Sequence, residues 1–169
     1  MRAGSKKPRV YLSGGMEYAK REGNAWRAEI ETWIRSTLGH SVFNPTTESV
    51  RFLARNLPDG DFRALKTEDF PRYQRLVARI VDLDSREVVK NSSYVICLWD
   101  QSAQRGAGTK GELTLARYFR KPVYVVTRMH SGRIPGWVLG CTTQLFPSFH
   151  ALKIFLAKKF HQDHEGGKR

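Results

Sequence analysis

Short apolar segments alternate along this chain with longer segments in which apolar residues recur at helical spacing. Helical spacing runs from about Asn24 to Thr37, from about Gly111 to Phe119, and again through the segment that begins near Phe149. The alternation of strands with helices predicts an α/β fold with a parallel sheet. The predicted strands are Arg9–Leu12, Ser41–Phe43, Tyr94–Trp99, Pro122–Val126 and Gln144–Phe146.

One connection is longer than the rest and predicts a helical insertion over one edge of the sheet. The segment 46–80 contains two helical pieces, near Ser49–Asn56 and Phe70–Ile80, separated by the turn signal Pro58-Asp59-Gly60. The chain of 169 residues suits a single domain, which we assign to residues 1–160. We expect the polar tail, 161–169, to be mobile.

Ligands of open parallel sheets bind beyond the carboxyl ends of the strands. That rule selects three segments, namely Ser13–Met16, Asp82–Asp84 and Asp100–Glu112. Within the third, the Gly-rich stretch 106–112 opens a helix, where free backbone N–H groups favour an anion. The spacing is not that of a Walker loop, and a tight connection with Glu112 on an exposed first helical turn is the simpler alternative.

Four carboxylates are expected at this rim of the sheet. Asp82, Asp84, Asp100 and Glu112 would repel one another there, which is an unfavourable arrangement unless the site uses them. The alternative for Asp82 and Asp84 is capping of the short helix that follows them. Tyr11, at the end of the first strand, is by default a core aromatic residue whose hydroxyl is hydrogen-bonded.

The net charge of +13, from 29 Lys and Arg against 16 Asp and Glu, favours phosphate-bearing partners. Nucleic acid is possible among them but is not favoured, because no readout motif is present. No apolar segment approaches the about 20 residues of a membrane span, and the start lacks a signal-peptide core, so we expect a soluble cytoplasmic protein without a membrane partner. Cys97, Cys141 and His40 show no ligand spacing, so we assign no metal and no cofactor.

Several motifs taken in order resemble the nucleoside 2-deoxyribosyltransferase-like family of bacterial and phage type. The resemblance covers about residues 8–127, with a similar ending at 134–137 and 146–148, and it implies a flavodoxin-like (Rossmann-like) three-layer sandwich around a five-stranded parallel sheet. The motifs that carry it are Val10-Tyr11-Leu12-Ser13-Gly14-Gly15-Met16, Val42-Phe43-Asn44-Pro45, Asp82-Leu83-Asp84, Gly108-Thr109-Lys110-Gly111-Glu112 with Leu113-Thr114-Leu115-Ala116, and Lys121-Pro122-Val123.

The resemblance also implies roles for individual residues. Glu112 matches the nucleophile that attacks the anomeric carbon of the sugar, and Tyr11 would steady it. One of Asp82 and Asp84, with Asp84 preferred, matches the Asp that binds near the sugar and the base. Ionisation of Glu112 would be aided by hydrogen bonds from Tyr11 or Thr109. The expected substrate-binding residues are Ser13, Gly14, Gly15, Asp82, Asp100, Gly108 and Thr109.

This sequence departs from the family pattern at two places. Gly106 stands where transferases carry a further Asp that handles the leaving base, although Asp100 is close enough in sequence to reach the same space. The tail offers no equivalent of the residue that transferases receive from a neighbouring subunit. Hydrolysis is therefore a more secure expectation than base exchange. The resemblance thus implies an enzyme that cleaves the N-glycosidic bond of deoxynucleosides, nucleosides or nucleotides through a glutamate nucleophile, like the nucleoside 2-deoxyribosyltransferases. The alternatives are a nucleoside monophosphate N-hydrolase and a non-catalytic nucleotide-binding module.

A nucleoside or nucleotide is therefore the expected substrate, and the family pattern also implies a homo-oligomer. The large apolar residues Trp137, Leu139, Phe146 and Phe149 lie in a short C-terminal region where they would form an apolar patch. The alternative for these four residues is that they cover the edge of the sheet.

Overall fold

The structure, a computed structural model, contains one five-stranded sheet with eight α-helices among the described residues. It describes residues 7–165, apart from the side chains of Glu22 and residues 161–165. The strands are β1 (Arg9–Gly14), β2 (Ser41–Phe43), β3 (Tyr94–Leu98), β4 (Val123–Val126) and β5 (Gln144–Phe146). The helices are α1 (Asn24–Trp33), α2 (Pro45–Asn56), α3 (Leu65–Glu68), α4 (Phe70–Arg86), α5 (Gln101–Arg105), α6 (Gly108–Tyr118), α7 (Gly136–Cys141) and α8 (Phe149–Glu165).

All neighbouring strands pair in parallel, in the order β2-β1-β3-β4-β5. Helices cover both faces of the sheet, so the fold has three layers, and the predicted flavodoxin-like α/β class is confirmed. β1 and β3 lie in the middle of the sheet, which explains why both strands are buried along nearly their whole length. The order of winding reverses between β1 and β3, so the carboxyl ends of these strands form the expected ligand crevice.

Alternation along β1 decides which side chains face which layer. Val10 and Leu12 point into the core beneath α1 and α8. Tyr11 points to the opposite core, whose helical side is formed by α6 and α7. Because successive strand residues alternate between faces, Ser13 lies on the same side as Tyr11. The alternation of side chains along β1 therefore places the hydroxyl groups of Tyr11 and Ser13 on the face that α6 covers.

The insertion between β2 and β3 has a small core of its own. Leu57, Leu65 and Leu76 are buried together, with Phe62 and Tyr73 packed against them. These contacts hold the pieces of the insertion together, while α2 and α4 also pack against β1 and α6. The insertion therefore forms a separate wall beside the carboxyl end of β1.

The expectation that Asp82 and Asp84 cap a helix is wrong. α4 continues to Arg86, so both residues lie within its last two turns. The helix is capped much earlier, where the Asp69 side chain accepts a hydrogen bond from Arg72 N at 3.1 Å. Pro71 lies in the first turn of the helix, where proline is tolerated, and no Gly or Pro follows it up to Arg86. Nothing therefore ends the helix before these carboxylates.

Helix α6 begins earlier than predicted. Its first residue is Gly108, so Glu112 lies on the second turn and not on an exposed first turn. The short helix α5, which the sequence analysis missed, occupies the segment between β3 and α6. The Gly-rich stretch is thus mostly helix, because Gly106 follows the end of α5 and Gly108 already belongs to α6.

The C-terminal apolar residues divide between core and surface. Phe146 and Phe149 pack into the core beneath α8, and Phe149 stacks on Trp26 with ring centroids 5.4 Å apart. Trp137 alone of the four predicted patch residues is largely exposed, at 69%. The predicted patch is therefore reduced to Trp137, and the homo-oligomer stays a prediction. α8 runs on to Glu165, while the end of the predicted mobile tail, 166–169, lies outside the described residues.

Gly15 is required by close packing where β1 meets α5. A Cβ atom at Gly15 would lie 2.1 Å from Ser102 Oγ and 2.7 Å from the Ala103 backbone nitrogen. We predict that Gly15→Ala lowers the free energy of unfolding by about 2–4 kcal/mol, because backbone must move to relieve the overlap.

Urea unfolding measures this loss, and Gly140→Ala is the matched control. Gly140 lies within α7, and a Cβ atom there would meet nothing within 4 Å. The control should be neutral or gain up to about 1 kcal/mol. Equal stabilities of Gly15→Ala and the unsubstituted chain would contradict the packing described here.

Candidate active site

Two hydroxyl groups of β1 bind the carboxylate of Glu112 on α6. Tyr11 Oη donates to Glu112 Oε1 at 2.8 Å, and Ser13 Oγ donates to Glu112 Oε2 at 2.5 Å. Tyr11 and Ser13 are fully buried, and Glu112 is partly buried. Each carboxylate oxygen therefore has its own short, charge-assisted hydrogen bond, which fixes the plane of the carboxylate.

The position of Glu112 follows from the way α6 packs. Thr109, Leu113 and Ala116 are the buried residues of this helix, and their spacing defines its inward face. Glu112 is three residues beyond Thr109, so it lies at the border of that face, opposite the end of β1. Thr109, which we expected as a donor, is buried, while the hydrogen bonds described above come from Tyr11 and Ser13.

Asp84 completes a cluster with Tyr11 and Glu112. It lies near the Tyr11 hydroxyl, and it is close enough to Glu112 for the two charges to repel. Burial, followed by the charge of Glu112, raises the pKa of Asp84 to about 8. Asp84 is therefore largely protonated at neutral pH and can donate a proton.

Glu112 is buried in the same cluster but accepts more hydrogen bonds. Burial raises the pKa of Glu112 above its ordinary value, and the hydrogen bonds from Ser13 and Tyr11, with the charge of Arg27, oppose this rise. Burial and the charge of Glu112 raise the pKa of Tyr11 well above its usual value, so the phenol remains a donor. Two neighbouring carboxyl groups that differ in their hydrogen-bond donors are suited to different roles in acid and base chemistry.

Arg27, which the sequence analysis missed, is buried behind the end of β1. The residue has no exposed surface, and its guanidinium donates to Gly14 O at 2.8 Å and to Gly23 O at 3.2 Å. A signal was available in the sequence, because Arg27, Ile30 and Ile34 share one face of a helix by their spacing. A charged residue on an apolar face is unusual and points to a buried partner.

The remaining predicted substrate-binding residues lie around this cluster and not within it. Asp82 is exposed on α4. Asp100 caps α5, with Oδ1 accepting from Ser102 N, Ser102 Oγ and Ala103 N at 2.6–3.0 Å, so it is engaged as a cap. Gly108 is exposed at the first position of α6.

The glycines after Ser13 serve the chain's own packing. The carbonyl of Gly14 accepts from Arg27, and Gly15 is in contact with α5. The close approach that we expected of a base at these glycines is therefore made in the structure by other parts of the protein. The expected role of Gly14 and Gly15 in substrate binding stays a prediction.

Two cavities adjoin the segment that follows β1, and Tyr18 lines both. The larger, about 800 Å³, is bordered by Gly15, Lys20, Trp26 and Asp100. The smaller, about 560 Å³, lies between this segment and the helical insertion. Its walls are aromatic and aliphatic, with basic residues at the rim, and include Met16, Leu53, Phe62, Arg63, Lys66, Tyr73, Val77 and Ile80.

Two further observations concern the described residues only. Among the side chains that the structure describes, which exclude Glu22 and 161–165, no three or more His, Cys, Asp and Glu form a group that could hold a metal ion. No helix within 7–165 is long and apolar enough to cross a membrane. The expectations that neither a metal nor another cofactor is required stay predictions.

Comparison with known proteins gives a distant structural relationship. No protein-family model matches the chain, and no curated protein matches it in sequence. A solved structure of a 2-deoxyribosyltransferase from the psychrotolerant bacterium Bacillus psychrosaccharolyticus matches with a TM-score of 0.57 and 15% identity, over 86% of this chain and 90% of that one. At this identity the match shows a shared fold.

A second solved structure gives a weaker match. It is a 3-dehydroquinate dehydratase-like protein from Bifidobacterium longum, with a TM-score of 0.47 and 12% identity, over 93% of this chain and 98% of that one.

The raised pKa of Asp84 makes a prediction about stability. A carboxyl group whose pKa rises on folding stabilises the fold while it is protonated, and this contribution is lost as the pH rises through about 8. Asp84→Asn should therefore unfold at a higher denaturant concentration than the unsubstituted chain at about pH 9, by about 1–2 kcal/mol, because Asp84 is only partly buried.

Denaturant unfolding at about pH 5 and about pH 9 measures this difference, and it should shrink at the lower pH. Asp82→Asn is the matched control, because Asp82 is exposed on the same helix. A difference between Asp84→Asn and the unsubstituted chain that does not depend on pH would contradict the assignment of the proton to Asp84.

Proposed function

We propose that this protein is an enzyme that cleaves the N-glycosidic bond of nucleosides or nucleotides, with Glu112 as the nucleophile. The observation that carries this proposal is the Glu112 carboxylate held by Tyr11 and Ser13 beside the protonated Asp84. The fold shared with a 2-deoxyribosyltransferase and the motifs that resemble that family support it. All three catalytic candidates, Tyr11, Asp84 and Glu112, belong to this one cluster.

In the first step, Glu112 attacks the anomeric carbon of the bound sugar. A bond forms between a carboxylate oxygen and this carbon as the bond from the carbon to the base nitrogen breaks. The electron pair of the broken bond goes to the base, and the proton of Asp84 neutralises the charge that develops there. The carboxylate also stabilises the positive charge that the sugar acquires in the transition state.

In the second step, water attacks the same carbon and releases Glu112. The new bond joins the water oxygen to the sugar, and the ester bond to Glu112 breaks, so the carboxylate is regenerated. The ionised Asp84 accepts the proton that water loses, which restores the starting state. Tyr11 donates its hydroxyl proton to Glu112 and steadies it throughout.

The smaller cavity is suited to the base. Tyr73, Val77, Ile80 and Asp84 follow one another along one face of α4, and the first three line this cavity. A base seated against these apolar walls would lie next to the proton of Asp84. Aromatic and aliphatic walls favour a flat heterocycle over a charged or flexible group.

Hydrolysis is favoured over transfer to a second base. Gly106 stands where the resembling transferases carry a base-handling Asp, and Asp100 is engaged as the cap of α5. Asp84, as the acid, can protonate the leaving base. Gly106 has no side chain that could hold an acceptor base. We also expect 2′-deoxy sugars to react faster, because a 2′-hydroxyl disfavours positive charge at the neighbouring carbon.

A nucleoside 5′-monophosphate N-hydrolase is the second candidate, and the charge of the chain favours it. The net charge is +13, and Lys20 and Arg21 line the larger cavity beside Gly15. Cations at this position would attract a phosphate. Rates on deoxyinosine, inosine and their monophosphates, with and without an acceptor base, separate the two candidates and test the preference for deoxy sugars.

Glu112→Gln tests the nucleophile. Base release from the best substrate of that panel should fall by at least about 10³-fold, because an amide cannot form the covalent intermediate. Circular dichroism should remain unchanged. Glu29→Gln is the control, since Glu29 is an exposed residue on α1 that pairs with Lys153. A loss of only a few-fold in Glu112→Gln would overturn the assignment.

The pH dependence of base release tests the acid. The rate should decline as the pH rises through about 8, where Asp84 loses its proton, and should also decline in acid, where Glu112 becomes protonated. In Asp84→Asn the rate should be lower by about 10²-fold or more, and the decline near pH 8 should disappear. Persistence of that decline in Asp84→Asn would show that another group supplies the proton.

A further inference from the structure

Arg27 binds the backbone on either side of Ser13, one of the two residues that donate to Glu112. Besides Gly14 O and Gly23 O, the guanidinium approaches Leu12 O at 3.4 Å, and it lies 4.6 Å from the centre of the Trp26 ring. Leu12 and Gly14 flank Ser13 in β1. One planar group therefore holds the backbone on both sides of the Ser13 hydroxyl.

Hydrogen bonds to these carbonyl groups do not by themselves explain why a charged residue is buried at this place. Desolvation of a guanidinium costs several kcal/mol, and a neutral amide could donate to the same oxygens without that cost. Negative charge nearby offsets the cost, and the charges of Glu112 and Asp100 do act on Arg27 in this way. Burial lowers the pKa of Arg27 but leaves a guanidinium charged.

We propose that Arg27 is a positioning residue that holds Ser13 against Glu112 and supplies the positive charge that keeps the Glu112 carboxylate ionised. The inference deepens the proposed function and rests on it for its catalytic meaning. The arrangement of Arg27, Ser13 and Glu112 can nevertheless be tested without any substrate.

The charged and titratable groups around Glu112 determine how its pKa should change when the charge of Arg27 is removed. Arg27 lowers the pKa of Glu112 and of Asp84, but only Glu112 also accepts hydrogen bonds from both Ser13 and Tyr11. We therefore expect the two carboxyl groups to share one proton that resides mainly on Asp84. The groups that act on this cluster are Tyr11 on β1, Arg27 on α1, Asp84 on α4, Glu87 after α4, Cys97 on β3 and Asp100 before α5.

Two substitutions separate charge from hydrogen bonding. Arg27→Gln keeps a donor for the carbonyl groups and removes the charge, whereas Arg27→Lys keeps the charge and loses the planar fork. Arg35→Gln is the control, because Arg35 lies in the turn that continues α1, pairs with Glu31 and has half of its side chain exposed. Arg35→Gln removes one positive charge, as Arg27→Gln does, but away from the cluster of Tyr11, Asp84 and Glu112.

The readout is the titration of Glu112 by NMR in protein labelled with carboxyl-¹³C glutamate, with the signal assigned from Glu112→Gln. We expect Glu112 to titrate at higher pH in Arg27→Gln than in the unsubstituted chain, and to stay nearly unchanged in Arg27→Lys and Arg35→Gln. An unchanged titration in Arg27→Gln, or the same shift in Arg27→Lys and Arg27→Gln, would overturn the proposal.

A measurement on the unsubstituted protein covers the case in which Arg27→Gln does not fold. With aspartate labelled as well, Glu112 should lose its proton at lower pH than Asp84, and ionisation of Asp84 first would contradict the role of Arg27. The kinetic counterpart is the decline of the rate in acid, which should move to higher pH in Arg27→Gln. At the pH where the unsubstituted enzyme keeps half of its maximal rate, Arg27→Gln should be about tenfold slower. Absence of base release with every substrate would overturn the proposed function but leave the titration to decide on Arg27.

Discussion

The hydrogen bonds from Tyr11 and Ser13 to one carboxylate are the interaction on which the rest of the site depends. They form because two residues at alternate positions of a central strand face the same layer, and because α6 packs with Glu112 at the edge of its buried face. The contact of Gly15 with α5 and the contacts of Arg27 with the β1 carbonyls hold the end of that strand in place. The backbone is thus positioned before any substrate arrives.

Burial disfavours charge on both carboxyl groups, and the groups around them make the two different. Asp84 and Glu112 lie too close together for both to be charged at little cost, so one proton is retained between them. The donors from β1 and the cation on α1 stabilise the charge on Glu112, and Asp84 receives the proton. In the proposed function these two carboxyl groups are the nucleophile and the acid that break a bond between a sugar and a base.

Much of the fold could be predicted from the sequence, since apolar strands and amphipathic helices carry a strong local pattern. The segments Ser41–Phe43 and Gln144–Phe146 were predicted at their observed bounds. The exact extents of α4 and α6 could not be predicted, because Asp82 resembles a cap and Gly108 resembles a loop residue when only neighbours in sequence are considered. The full lengths of these helices depend on packing against the sheet and the insertion.

The site was only partly predictable, because it too depends on packing between elements that are distant in sequence. Motifs pointed to Tyr11, Asp84 and Glu112, and the structure brings these three together. Ser13 was expected to contact substrate, whereas its hydroxyl binds Glu112. Helical spacing indicates that Arg27 lies on a buried face, but its contacts with the end of β1 depend on how α1 packs, which the sequence does not show.

The central claim is that Glu112 forms a covalent bond with the sugar, and peptide mass spectrometry of an acid-quenched reaction tests it most directly. The account predicts that the peptide containing Glu112 carries one glycosyl group during turnover, and that this adduct disappears as free sugar accumulates. Rapid release of base with no adduct at any reaction time, or an adduct on a different residue, would contradict the account.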